Sequence, residues 1–186
     1  GSDTSSSGTR GTKGNDTIRG TAGDDVIDGL AGNDFLFGLA GNDVIFGGLG
    51  HDALNGQAGN DTLIGGDGDD TFTLQTESLG GYGIDSIDGG SGADSLNITD
   101  GLASTAATVD LEAGTLSGAG GSATLVSIEY VSGTNLGDRI TGNAASNVFL
   151  GNAGDDTLNG AGGNDSLHGQ NGNDLLSGGD GRDWLW

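Results

Sequence analysis

Residues 29–46 read GLAGNDFLFGLAGNDVIF, two nine-residue frames that differ at two positions. Each opens on glycine, carries glycine again at position four, aspartate at position six and a large apolar residue at position eight. Working outward, the same frame runs without a break from residue 11 to residue 73. It resumes after six extra residues for two frames that end at residue 97, and returns after a 35-residue interruption for six more from residue 133 to residue 186. Fifteen frames align. Position six is Asp16, Asp25, Asp34, Asp43, Asp52, Asp61, Asp70, Asp85, Asp94, Asp138, Asp156, Asp165, Asp174 and Asp183, with Asn147 the one exception. Position eight is apolar in every frame, and position four is glycine except at Leu136 and Ala145. A repeat of this length signals a solenoid, in which each unit buries its apolar face only against its neighbours.

Composition says what such a solenoid needs. The chain has 186 residues, 42 glycines, 27 acidic residues and five basic ones, no cysteine, methionine or proline, and a formal net charge of -22. Only 32% of residues are hydrophobic. Low hydrophobicity with high like charge leaves too little buried apolar surface to offset chain entropy. Cohesion must come from elsewhere, and divalent cations are the natural counter-charge. Nucleic acid and anionic membrane surfaces are repelled, and without cysteine there are no disulfides or thiolate metal sites. No apolar run reaches the roughly 18 residues of a membrane span.

The frame itself specifies the cation. Glycines at positions one and four, and often two, are expected to supply positive backbone torsions, so that a six-residue turn presents carbonyl oxygens inward. The position-six carboxylate joins them in a hard oxygen site, which suits calcium better than magnesium. Positions seven to nine alternate in facing and form a minimal strand. Two frames then make one turn of a flattened coil, and the aspartates of frames n and n+2 stack at about the 4.8 Å strand spacing. The expected pairs are 16/34, 25/43, 34/52, 43/61 and 52/70 in the first run, and 138/156, 156/174 and 165/183 in the last. That makes about five calcium ions in the first run and three or more in the second. The neutral Asn147 should leave its pair with Asp165 weak or empty, and Leu136 and Ala145 should spoil their loops. The carbonyl donors expected beside the aspartates are those of Gly23, Ala31, Gly32, Asn33, Ala40, Gly41, Asn42, Leu49, Gly50, His51, Gly59, Asn60, Gly154, Gly163, Asn164, Gly172 and Asn173.

The motif GGxGxDxUx, with U apolar, resembles that of RTX proteins over about 135 residues. The resemblance implies an all-β, right-handed parallel β-roll (a β-helix solenoid) with calcium between its turns. It further implies type I secretion from a Gram-negative bacterium, with a chain largely unfolded in the low-calcium cytoplasm and folded in millimolar calcium outside. The expected division is a flexible leader over residues 1–10, a first roll over 11–97, a metal-free bridge over 98–132 and a second roll over 133–186. The absence of an initiator methionine reads as an added leader on a piece of a longer protein. That parent could be an enzyme, including one that modifies polysaccharide, or an adhesin or surface-layer protein. Expected partners are calcium, the secretion machinery, and a neighbouring domain or carbohydrate.

Other readings weigh less. His51 and His168 fall at variable positions, no HExxH is present, and carboxylates in a ladder read as metal ligands rather than acid/base pairs, so no catalytic residue is expected. Position three carries no threonine in the first run, which argues against a flat ice-binding array. In the bridge, residues 107–111 and 124–131 read as strands of longer solenoid rungs. Phe35, Phe37, Phe46 and Tyr82 are expected to face outward, as are Trp184 and Trp186, with Leu185 inward.

Overall fold

The structure, a computed structural model, describes residues 8–75, 81–99 and 105–186. Residues 1–7 of the expected leader lie outside these. All regular structure is β: successive frames alternate between two sheets, so each strand pairs in parallel with the strand two frames away. One sheet has nine strands in the order Thr17–Arg19, Phe35–Ala40, Ala53–Ala58, Thr71–Gln75, Ser95–Thr99, Tyr130–Ser132, Val148–Leu150, Ser166–His168 and Trp184–Leu185. The register places Ile18 against Leu36, Leu36 against Leu54 and Leu54 against Phe72. Position eight therefore forms a continuous apolar column, fully buried from Ile27 to Leu167. Each such side chain contributes roughly 1.5–3 kcal/mol by leaving water.

The second sheet has eleven strands, because the bridge adds three to it and only one to its partner. Its order begins Thr9–Arg10, Val26–Ala31, Val44–Leu49, Thr62–Asp67 and Gly83–Ser91. Gly121–Val126, Thr115–Gly118 and Ala107–Asp110 follow, then Arg139–Thr141, Thr157–Asn159 and Leu175–Ser177. The bridge departs here from the parallel rungs expected of it. Gly121–Val126 pairs in parallel with the first block and Ala107–Asp110 in parallel with the second, but Thr115–Gly118 lies antiparallel between them. The reversals occur at Gly114 and at Gly118, Ala119 and Gly120, all with positive φ. Short reversals of this kind, four residues after Asp110 and two after Gly118, favour antiparallel neighbours, whereas a parallel crossover needs a longer connection.

Two further expectations are corrected. Thr9 and Arg10 are not tail: they cover the open edge of Val26–Ala31, and Arg10 Nε pairs with Asp28 Oδ2 at 3.0 Å. Tyr82 does not face outward. It is 1% exposed, its hydroxyl donates to the Gly118 carbonyl at 3.0 Å, and a Cβ on Gly121 would meet its ring at 2.6 Å. The glycine-rich hairpin leaves the volume that this ring fills. Phe35 and Phe46 are exposed as expected, while Phe37 is half-buried beneath the Arg19 guanidinium, 4.4 Å from the ring centroid. Trp184 and Trp186 are exposed, and Trp186 stacks on His168 at 4.4 Å. Leu185, expected inward, is 42% exposed.

Candidate metal ladder

The position-six side chains line the entrances to the strands of both sheets, and from Asp34 to Asp165 they are buried. Each carboxylate is used in the same way. One oxygen accepts the backbone N–H of position six two frames earlier: Asp16 donates to Asp34 at 2.7 Å, Asp25 to Asp43 at 2.8 Å, and Asp34 to Asp52, Asp43 to Asp61 and Asp52 to Asp70 at 2.8 Å. The row crosses the six-residue insertion, with Asp61 donating to Asp85 at 2.9 Å and Asp70 to Asp94 at 2.8 Å. The last block repeats it through Asp138 to Asp156, Asn147 to Asp165, Asp156 to Asp174 and Asp165 to Asp183. The n/n+2 juxtaposition is thus present throughout, including the 61/85 and 70/94 pairs that the insertion hid from the sequence reading.

The second oxygen is what makes the row a candidate metal site. Oδ2 of Asp34, Asp43, Asp52, Asp61, Asp70, Asp94, Asp156 and Asp165 is buried with no hydrogen-bond partner. Ionised oxygens in that state cost several kcal/mol each unless a cation meets them. Burial is accordingly the largest cause pushing these carboxyls up, to about 6 for Asp43 and Asp156 and about 7 for Asp70 and Asp85. Like charges along the ladder add to the rise, and the accepted backbone bond opposes it. Among the described residues no three His, Asp or Glu side chains cluster. Any cation must therefore draw most of its oxygens from backbone, which is how a hard, many-coordinate ion such as calcium is bound.

The loops explain the glycines differently from the sequence reading. The described position-one glycines have no positive φ. They are needed because a Cβ there would meet the frame's own carboxylate and the next turn's carbonyl, as at Gly29 against Asp34 Oδ2 and the Gly47 carbonyl, each at 2.5 Å. The positive φ values fall at positions two and four instead. Position two adopts them even where the residue is Leu30, Leu39, Gln57, Asn152, Ala161 or Gln170. At position four, Gly32, Gly41, Gly50, Gly59, Gly154, Gly163 and Gly172 are positive, and a Cβ on Gly50 or Gly59 would strike the carbonyl of Gly32 or Gly41 in the turn before. Gly23 is the exception among the glycines expected as carbonyl donors: its φ is not positive, and its carbonyl faces the Thr21 hydroxyl at 3.4 Å.

Sequence reasoning passed over two features. Position five forms a second ladder, in which its side chain accepts the N–H of position five two frames on: Asn15 from Asn33, Asn33 from His51, Asn42 from Asn60, Asn60 from Ile84. His51 Nδ1 accepts the Asp69 N–H at 2.8 Å. The signal was readable: position five is an acceptor until the last turn of the first block, where Ile84 and Ala93 stand. The other feature is Glu129. The N–H of Asp94 donates to its Oε2 at 2.9 Å, and Tyr130 and Val148 continue the strand pairing on either side. Its order Glu129-Tyr130-Val131 reproduces the acid-x-apolar order of fourteen of the fifteen frames.

Such a stack of nonapeptide turns with buried, unpaired carboxylate oxygens defines a calcium-binding solenoid. The sequence matches the RTX calcium-binding nonapeptide repeat over residues 10–45, 46–74, 79–97, 132–167 and 160–186. The chain belongs to that family. No curated protein matches it.

Proposed function

We propose that the chain is a calcium-assembled module of a secreted protein, which stays largely unfolded where calcium is scarce and folds on meeting it outside the cell. The observation that carries this reading is the set of eight buried aspartate oxygens without partners, in a chain of net charge -22 whose core is one side chain wide. Metal binding free energy then becomes folding free energy. The frame aspartates are the proposed ligands, except Asp16, Asp25 and Asp138, whose carboxylates Thr12, Thr21 and Thr134 already meet; loop carbonyls complete the sites, and the module itself is non-catalytic. Circular dichroism during calcium titration tests this: the β signal should rise from near zero in chelator to saturation in millimolar calcium, with magnesium a poor substitute. An unchanged β spectrum in excess chelator would sink the proposal.

A further inference from the structure

The loops fall into two conformations, and the residue at position two separates them. In the open form positions two and four both have positive φ, and where the aspartate is buried its Oδ2 has no partner, Asp85 aside. Four loops are not of this kind: those of frames 11–19, 20–28, 133–141 and 142–150 have no positive φ. Their position-two residues are Thr12, Thr21, Thr134 and Asn143.

In three of these loops the carboxylate is already satisfied; in the fourth, position six is Asn147, whose Oδ1 has a partner and whose buried Nδ2 has none. Thr21 donates to Asp25 Oδ2 through its N–H at 2.5 Å and its hydroxyl at 3.0 Å, and that hydroxyl accepts the Gly23 N–H at 3.2 Å. Thr12 treats Asp16 and Gly14 in the same way. Thr134 donates its N–H to Asp138 Oδ2 and its hydroxyl to Asp138 Oδ1, and accepts from Leu136. Asn143 donates its N–H to Asn147 Oδ1 and accepts from Ala145. Such local side-chain turns offer the backbone an alternative to the open conformation. The hydroxyl or amide donors replace the cation.

We infer that position two decides whether a loop takes calcium, and that the first two loops of each block are metal-independent caps. One cap falls on each side of the roll, so each block starts from a turn that hydrogen bonds alone can order. Because an ion sits between two open loops, the five pairs from Asp34/Asp52 to Asp70/Asp94 remain in the first block and Asp156/Asp174 and Asp165/Asp183 in the second. The pairs that begin at Asp16, Asp25, Asp138 and Asn147 hold none. This rests on the calcium reading above.

Calcium stoichiometry by titration calorimetry tests it, with folding checked by circular dichroism. Thr21→Gly should bind one ion more than the unaltered chain, Thr21→Ser the same number, and Leu39→Thr one fewer. Asp25→Asn should cost no ion, whereas Asp61→Asn should cost two. Loss of an ion in Asp25→Asn, or no gain in a folded Thr21→Gly, overturns the code while leaving calcium binding intact. If the unaltered chain takes up no calcium, both readings fall together. Should Thr21→Gly not fold, Asp25→Asn and Thr12→Gly decide the matter.

Discussion

The two blocks use one repeat but hold it together unequally. In the first, most strands run six residues, and pairing continues past the strand core to Leu30 against Gly48 and Ala31 against Leu49. In the second every strand has two or three residues, and the same columns are reduced to the isolated bridges Ala153 to Asn171 and Gly162 to Asp180. Thr9–Arg10 and the bridge also pair with outer strands of the first block, whereas in the second Leu175 is 66% and Leu185 42% exposed. In a solenoid, stability is a sum of nearest-neighbour terms, so turns joined by shorter pairing are worth less. The second block should therefore lean harder on its cations.

Stepwise calcium withdrawal gives the largest effect. Amide exchange protection over residues 157–185 should be lost at a higher free calcium concentration than protection over residues 27–96, where the longer pairing persists. Simultaneous loss would mean that the bridge couples the blocks into one cooperative unit, and the comparison would break.

Single carboxylates sharpen it. Asp61 belongs to two pairs and its Oδ1 accepts the Asp43 N–H. Asp61→Ala should remove two ions and leave a buried N–H unpaired, itself a loss of about 1–3 kcal/mol. Asp174 is only half-buried and closes a single pair, so Asp174→Ala should remove one ion and shift the calcium midpoint less. Equal shifts in the two variants would contradict the unequal sharing of ligands.

Protons should partly replace calcium. Burial raises Asp43 to about 6 and Asp70 and Asp85 to about 7 in the first block, and Asp156 to about 6 in the second. A raised carboxyl holds its proton in the folded state over a range where the unfolded chain has released it. Stability in calcium-free buffer is then greatest below about pH 4 and is lost as pH rises through 6 to 7. With calcium the order reverses, since the ligands must be deprotonated. Urea unfolding at pH 5 and pH 8, each with and without calcium, checks both signs; greater calcium-free stability at pH 8 would refute them.

Much of this was legible in the sequence, and for a physical reason: every frame repeats the same local problem. Asp34, Leu36 and their counterparts could be placed because nine residues return the chain to an equivalent environment. What escaped depended on departures from the frame. Glu129 sits in a turn with no glycine signature and was invisible to a search for one. Tyr82 was assigned outward by its neighbours' alternation, although the space it fills is made by Gly118 and Gly121, nearly forty residues on. The antiparallel strand Thr115–Gly118 follows from reversals that strand propensity alone does not reveal. The role of glycine at position one was misjudged because steric room and positive φ select the same residue.

Position five offers the finest contrast between the blocks. Asn60 accepts the Ile84 N–H at 2.9 Å, across the insertion that separates their frames. Asn173 occupies the same position in the last block, where it is exposed, its N–H donates to Asp155 Oδ1 and its amide reaches the same oxygen. Asn60→Ala should cost about 1 kcal/mol in calcium-saturated urea unfolding, the net worth of one hydrogen bond. Asn173→Ala should stay within about 0.5 kcal/mol, as for exposed substitutions generally. The bond runs from one turn to the next, so its loss should also appear locally, as faster exchange at Ile84. If the two variants prove equally costly, the second ladder adds no cohesion between turns, and the difference between the blocks rests on strand length and calcium alone.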